Sequence, residues 1–215
     1  KRILVALILL ALLSSYKPQK IFLINKFIIN EIIVENNLII KDKDIKEKLS
    51  ILYEKNLFTL NASKIENILK KIDLIKSFQI KKIYPNKIVI KIFEKTPIAI
   101  LQYKKEKFYV SKEIDLISYS NLEIYNDLPI IFGNKVFFKE LYENLKKINF
   151  PLNLIKRYYL YESKRWDLET QEILIRLPTE DYIESLKNFM ILKKKDNYNH
   201  YKVFDYRIKN QLILK

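Results

Sequence analysis

The chain has 215 residues, and its 40 Lys and Arg against 25 Asp and Glu give a formal net charge of +15 at pH 7. It contains no cysteine, one glycine and one histidine, which excludes a disulfide framework, a cysteine-ligated metal site and the glycine-rich loops that bind phosphate. The histidine, His200, lies in a polar stretch without a neighbouring Ser and Asp arrangement that would suggest a catalytic triad. The composition favours a binding or scaffolding protein over an enzyme. It predicts no catalytic residue, no cofactor, no metal and no small-molecule substrate.

The basic charge does not by itself indicate a nucleic-acid partner. Ile, Lys, Asn, Tyr and Phe are abundant whereas Gly, Ala and Arg are scarce, a bias typical of AT-rich genomes that places Lys at tolerant surface positions. Many of the lysines alternate with apolar residues, which is how a half-buried sheet solvates its outer face. We therefore expect no nucleic-acid partner.

The N-terminal segment predicts a membrane anchor, because Lys1 and Arg2 precede an unbroken apolar run, Ile3–Leu13. At 1.5 Å per residue the stretch Ile3–Tyr16 spans about 21 Å, less than the roughly 30 Å of a bilayer core, but flanking basic side chains and local thinning can compensate. No small-x-small cleavage site follows. We expect an uncleaved single-pass anchor in the inner membrane, with the N-terminus in the cytoplasm and the bulk of the chain in the periplasm. A cleaved signal peptide and a buried helix of a soluble protein are the alternatives.

Residue periodicity after the anchor predicts a β-α-α-β-β unit. Alternating apolar residues indicate strands, and apolar residues at i, i+3, i+4 and i+7 indicate amphipathic helices. The predicted elements are a strand in Phe27–Val34, a helix in Asp44–Tyr53, a second helix near Ser63, and strands Ile75–Ile83 and Lys87–Glu94 about the turn Tyr84–Asn86.

Two local signals and one apolar face define this unit further. Ser63 and Glu66 have the spacing of a helix capping box, and Asn36 with Asn37 predicts a turn because Asn tolerates left-handed backbone. The helical and strand periodicities each place apolar residues on one face, and these residues are expected to form a core: Ile45, Leu49, Ile65, Ile68, Leu69, Ile88, Ile90 and Ile92.

The second half of the chain predicts short strands around two helices, Lys139–Ile148 and Asp181–Leu192, with Thr179 as a cap of the second. Their apolar stripes are expected in the core. The chain closes with a strand in Val203–Arg207, a polar turn and an apolar strand, Gln211–Leu214. No Pro-, Gly- or Ser-rich linker separates the halves, which predicts two packed domains rather than two tethered ones.

Six segments match motifs of one bacterial protein family in the same order along the chain. They are Asn56–Asn61 between the two helices, Tyr84–Lys87 at the hairpin, Glu94–Ala99 at the domain exit, Asp127–Gly133 ("LP.L.G"), Arg165–Leu168 followed by Ile173–Leu177 ("RWdl.l..g..i.L") and Phe204–Arg207 ("iDlR"). With these motifs the chain resembles the cell division protein FtsQ family, called DivIB in some groups, over nearly its whole length.

Some positions depart from the family pattern. Asn36 and Ser118 stand where the family usually has Gly, and Tyr206 and Ile208 replace the Leu and aromatic residue that often flank the family's Arg. The only glycine, Gly133, is retained inside its motif, and we expect its backbone to adopt positive φ.

The resemblance implies an α+β fold: a β-α-α-β-β POTRA domain, then a second α/β domain rich in antiparallel strands, behind one N-terminal transmembrane helix. We expect the anchor and joint in residues 1–20, the POTRA domain in 21–97 and the C-terminal β-rich domain in 98–215. The implied function is that of a non-catalytic bitopic scaffold at the division septum, which recruits FtsB and FtsL type divisome proteins and other septal membrane proteins. The alternative is a POTRA-bearing component of a protein transport or secretion system, but that class normally repeats POTRA units.

The final strand predicts the partner-binding site. An apolar, Pro-free terminal strand with free N–H and C=O groups is a hazard unless something covers it, and a partner strand can pair with such an edge. The resemblance implies that FtsB and FtsL dock there and that Arg207, the arginine of the "iDlR" motif, binds a partner carboxylate. The alternative is that the last residues pack into the core and this arginine pairs internally. The predicted partner-binding residues are Arg165, Tyr206, Arg207, Ile208, Gln211, Leu212, Ile213 and Leu214.

Overall fold

The computed structural model describes residues 26–215 and five isolated earlier positions, of which Val5 is the first and Ser14 the last. The predicted anchor, residues 3–16, lies mostly outside the described residues. Within the described part of the chain, no helix is both long and apolar enough to cross a membrane. The chain divides into two compact units between Glu94 and Lys95, near the boundary predicted after Pro97.

The first unit has the predicted β-α-α-β-β order. Its central strand, β3, pairs with β2 in antiparallel and with β1 in parallel orientation. The predicted bounds of both hairpin strands are confirmed. The elements are β1 (Glu31–Glu35), α1 (Asp42–Lys48), a 3-10 turn (Ser50–Leu52), α2 (Ala62–Leu69), β2 (Ile75–Ile83) and β3 (Lys87–Glu94).

The core of the first unit lies between one face of this sheet and the two helices. Ile88, Ile90 and Ile92 alternate along β3 and are fully buried, as their spacing predicts. Seven of the eight predicted core residues are buried, and Ile68 is half-buried against the same cluster.

The capping box predicted for α2 is wrong. The cap is Asn61, whose Oδ1 accepts a hydrogen bond from the backbone N–H of Ser63 at 3.0 Å, so that Ser63 lies inside the helix. Asn and Ser are comparably good caps, and Asn61 has the extended backbone that the cap position requires. Sequence spacing alone could not decide between them.

The turn predicted at Asn36 is confirmed. Asn36 has φ of 63°, the left-handed conformation that the family's glycine would adopt. Its side-chain amide also donates a hydrogen bond to the carbonyl of Ile92 at 2.7 Å, which glycine could not do.

The second unit is a nine-stranded sheet with two helices. The strand order is β12-β11-β10-β9-β8-β7-β4-β5-β6, so β12 and β6 form its two edges. The elements are β4 (Pro97–Tyr103), β5 (Glu106–Ser111), β6 (Leu116–Ser118), β7 (Ile130–Phe132), α3 (Lys135–Lys147), β8 (Ile155–Leu160), β9 (Trp166–Thr170), β10 (Leu174–Arg176), α4 (Tyr182–Leu192), β11 (Val203–Asp205) and β12 (Ile213–Leu214).

One face of this sheet carries the core. Apolar side chains that lie directly opposite one another on neighbouring strands form a continuous row on this face, and residues of α3 and α4 belong to the same cluster. From β4 to β12 the row is Leu101, Ile131, Tyr158, Leu168, Ile175, Phe204 and Leu214. Because side chains alternate along a strand, the next residue of each strand lies on the opposite face.

The helix ends differ from the predicted ones. α3 begins at Lys135, four residues earlier than predicted, because Asn134 caps it by accepting a hydrogen bond from the N–H of Val136 at 2.7 Å. The prediction of Thr179 as the cap of α4 is wrong, since Asp181 occupies that position in left-handed backbone.

The expectation for Gly133 is also wrong, because its φ is not positive. A Cβ at this position would lie 2.7 Å from Cβ of Leu160 and 3.4 Å from the Trp166 ring. The glycine is therefore required by close packing between β7 and β8 and not by backbone conformation.

Candidate protein-interaction site

The second face of the large sheet carries a row of polar side chains that leads to an edge. Tyr159, Asp167, Arg176, Asp205 and Ile213 lie directly opposite one another on the five strands β8 to β12. Both aspartates are buried, whereas Ile213 at the edge is 39% exposed. Arg165 and Arg207 flank this row. Together with Arg176 they bring three arginines to the two aspartates, which gives a formal excess of one positive charge.

Asp205 holds the motif arginine. Its carboxylate accepts hydrogen bonds from Nε of Arg207 at 2.8 and 3.0 Å and from Nη2 at 2.6 Å, and Nη1 of Arg176 lies 3.5 Å from Oδ2. The hydrogen bonds from Arg207 lower the pKa of Asp205 below its usual value, against an opposing effect of burial. The Arg207 side chain remains 46% exposed, so its outer surface is accessible to a partner.

Asp167 is bound more loosely. Nη1 of Arg165 lies 3.5 Å from its Oδ1, and Nε of Arg176 lies 3.9 Å from its Oδ2. Within the described part of the chain, both Arg165 Nη1 and Asp167 Oδ1 are buried without a hydrogen-bond partner. Burial raises the pKa of Asp167, and the nearby Arg165 and Arg176 reduce that shift. Arg165 also stacks over the Tyr161 ring at 4.3 Å, which orients its guanidinium.

The strand β12 leaves one side of its backbone open. Val203 and Lys215 exchange two backbone hydrogen bonds, at 2.9 and 3.1 Å, so the next pair, Phe204 and Leu214, is a non-hydrogen-bonded pair. The N–H and C=O of Leu214 consequently point away from β11. Among the described strands, none follows β12 in the sheet.

The other predicted site residues lie around this edge in different surroundings. Tyr206 is buried, and its hydroxyl donates to Oδ1 of Asn188 on α4 at 3.0 Å. Ile208 is 51% exposed and Gln211 is exposed, whereas Leu212 packs against the core. The structure therefore brings Arg165 and Arg207 together through the aspartates on the polar face, and it places Tyr206 on the other side of the sheet.

Sequence reasoning did not assign a role to three residues of this row. Asp167 and Asp205 lie inside the matched motifs, and Arg176 lies in β10, within the matched stretch Ile173–Leu177. Charged residues in a predicted buried strand could have indicated a role, because Asp and Arg are rarely buried unless they are paired. Their pairing depends on strand order, which the local sequence pattern does not contain.

A metal site receives no support from the residues that the structure describes. No group of three or more His, Asp or Glu side chains in them is placed to hold a metal ion. His200 is exposed and lies against the Tyr201 ring at 3.9 Å.

Comparison with known proteins agrees with this architecture. The family model of the FtsQ-type POTRA domain matches residues 27–95, and the model of the cell division protein FtsQ/DivIB C-terminal domain matches residues 99–207. The chain is 30% identical over 193 residues to a cell division protein FtsQ of Rickettsia conorii, covering 87% of this chain and 72% of that protein. The FtsQ proteins of Rickettsia bellii and Rickettsia typhi are 29% and 28% identical over the same coverage.

Proposed function

Because the chain belongs to the FtsQ/DivIB family of cell division proteins, we propose that it is a non-catalytic, membrane-anchored scaffold of the divisome. In this proposal residues 3–16 anchor it in the inner membrane, and the described units lie in the periplasm at the septum. The second unit recruits FtsB and FtsL type partners by strand addition beside β12.

The observation that carries this proposal is the position of the polar row relative to the open edge. A strand that pairs with β12 would use the outward N–H and C=O of Leu214 for affinity, and its alternate side chains would extend the row of Asp205 and Ile213. The row has an excess of arginine, so an acidic residue of the partner strand would complement it. Arg207 presents an exposed side chain there, whereas the Arg165 side chain is largely buried beside Asp167.

A transport or secretion component is a weaker proposal. The family model that matches residues 99–207 is that of a division protein, and the POTRA model that matches residues 27–95 is of the FtsQ type.

The proposal is tested by measuring binding of the full chain, reconstituted in nanodiscs, to the purified FtsB and FtsL pair of the same organism. The test variants are Arg207→Glu and Ile213→Glu. Both place a negative charge where the partner's acidic residue is expected, and we expect each to lower affinity at least tenfold, which corresponds to about 1.4 kcal/mol.

The opposite edge of the same sheet supplies a matched control. Leu116 on β6 is 37% exposed, nearly the same as Ile213 at 39%, so Leu116→Glu introduces the same charge at the other edge. We expect this variant to bind normally. Equal loss in both edge variants, or retained affinity of folded Arg207→Glu and Ile213→Glu, would place the partner site elsewhere.

Anchoring is tested separately by carbonate extraction. The full chain should stay in the membrane pellet, and a chain lacking residues 1–16 should be released. Recovery of the full chain in the soluble fraction would refute the anchor without bearing on the β12 edge.

A further inference from the structure

Three aromatic side chains form an exposed cluster at one end of the first unit. The ring centroids of Phe27, Phe58 and Tyr84 lie 6.1 to 6.5 Å apart, so each ring contacts the other two. Phe58 is nevertheless 71% exposed and Tyr84 is 54% exposed, and the adjacent Ile83 is 38% exposed. We refer to these four residues as the aromatic patch. Contiguous exposed apolar side chains, unlike singly scattered ones, make this patch a candidate interaction site.

The loop that carries Phe58 is held firmly in the outward position. The N–H of Leu57 donates to the carbonyl of Phe27 at 2.8 Å, and Oδ1 of Asn56 accepts from the N–H of Phe58 at 2.9 Å. Nζ of Lys82 donates to the carbonyls of Leu57 and Leu60 at 2.9 and 2.6 Å. The backbone on both sides of Phe58 is thus fixed, and exposure of the ring is a built feature of the loop.

The patch lies at the end of the unit where the chain arrives from its N-terminal segment. Phe27 is among the first described residues, and the N–H of Asn30 bonds the carbonyl of Asn86 in the hairpin turn at 3.1 Å. The parallel strands β1 and β3 both run from this end toward Glu94 at the other. Ten residues separate Tyr16 from Phe27, which limits their separation to about 40 Å even for a fully extended chain.

The sequence that precedes the patch carries only basic charges. The first 30 residues contain five basic residues and no acidic one, since Glu31 is the first carboxylate of the chain. Lys17, Lys20 and Lys26 lie between the apolar run and the patch, and Lys55 precedes the Asn56 loop; Glu54 is the one acidic neighbour in that loop. The sequence between the first apolar run and the patch also contains a second short apolar run, residues 21–24.

Together these features point to a lipid surface as the occupant. Tyr is enriched at the headgroup level of a bilayer, Phe inserts at the boundary of headgroups and acyl chains, and Lys beside them binds anionic headgroups. We infer that the aromatic patch lies in the headgroup region of an anionic bilayer, with Lys26 and Lys55 toward the phosphates. The inference rests on the proposed anchor, and it adds a second membrane contact that fixes the orientation of the first unit on the membrane.

The absence of cysteine permits a direct test in the full chain. A single Thr59→Cys variant, labelled with a nitroxide, reports from beside Phe58 without removing any ring of the patch. A matched Leu38→Cys variant reports from the other end of the unit, where Leu38 is 89% exposed and its N–H bonds Glu94. Both chains are reconstituted in vesicles of phosphatidylcholine with phosphatidylglycerol, and accessibility to oxygen and to an aqueous nickel chelate is measured.

We expect the label at position 59 to favour oxygen, which concentrates in lipid, and the label at position 38 to favour the nickel chelate. Adding Phe58→Ser and Tyr84→Ser to Thr59→Cys should abolish the oxygen preference. Pure phosphatidylcholine vesicles should weaken it, and equal preference in both vesicle types would overturn the assignment of the lysines to anionic headgroups.

Vesicle flotation separates failure of this inference from failure of the anchor. If the chain floats and position 59 is as accessible to nickel as position 38, the lipid contact is refuted while the anchor stands. If the chain does not float, both are refuted.

Discussion

The carboxylate of Glu94 accepts a hydrogen bond from the backbone N–H of Ile40 at 2.8 Å, although the two residues are 54 positions apart. The same carboxylate accepts from the N–H groups of Leu38 and Ile39 at 3.0 to 3.2 Å. The last residue of β3 therefore holds the loop between β1 and α1. This explains in physical terms why the motif at the domain exit begins with Glu.

Glu94→Gln should loosen this loop. An amide oxygen accepts weaker hydrogen bonds than a carboxylate, and bonds to charged groups contribute about 1.5 to 3 kcal/mol each. Because the site is half-buried rather than dry, we expect a total loss of about 1 to 2 kcal/mol in unfolding free energy. Hydrogen exchange of the Leu38, Ile39 and Ile40 amides should accelerate. Glu35→Gln, at an exposed position, is the control, and unchanged exchange in Glu94→Gln would refute the role.

Gly133→Ala should destabilise the second unit by about 1 to 3 kcal/mol, the usual cost of overpacking. The added methyl would meet Leu160 at 2.7 Å, a contact that the close strands β7 and β8 cannot relieve by side-chain rotation. Trp166 is the only tryptophan and is buried in this unit, so its fluorescence during urea unfolding reports the change. A neutral effect would mean that the strands separate at low cost.

Ile90→Ala and Ile68→Ala distinguish full from partial burial in the first unit. Both were expected on the inward face, but Ile90 is fully buried and Ile68 is half-buried. Ile90→Ala should cost about 2 to 5 kcal/mol, and Ile68→Ala distinctly less. Thermal unfolding by circular dichroism measures both, and equal costs would contradict the packing described above.

Local periodicity was sufficient for the first unit and insufficient for the polar row of the second. Strand β3 could be predicted to the residue because Ile88, Ile90 and Ile92 alternate along it, and Tyr84–Asn86 marks the turn that separates it from β2. The row from Asp167 through Arg176 to Asp205 depends on β10 pairing with β9 on one side and with β11 on the other. These pairings join residues that are distant in sequence, and no local pattern specifies them. The prediction of positive φ at Gly133 was wrong for a related reason. The residue whose close approach requires glycine, Leu160, lies on another strand.

The two buried aspartates should give opposite pH dependences of stability. The pKa of Asp205 is lowered in the folded state by hydrogen bonds from Arg207, so its stabilising effect is present above the unfolded pKa and is lost as pH falls through the lowered value. The pKa of Asp167 is raised by burial, so the folded state binds the proton more tightly and loses stability as pH rises through the carboxyl range.

Urea unfolding of the wild type, Asp205→Asn and Asp167→Asn between about pH 3 and pH 6, followed by Trp166 fluorescence, separates the two contributions. The wild type should gain unfolding free energy relative to Asp205→Asn as pH rises, and it should lose unfolding free energy relative to Asp167→Asn. Arginine stays charged throughout this range, so neither trend can arise from Arg165, Arg176 or Arg207. Trends of the same sign for both variants would show that the loose contacts of Asp167 and the tight contacts of Asp205 are equivalent in solution.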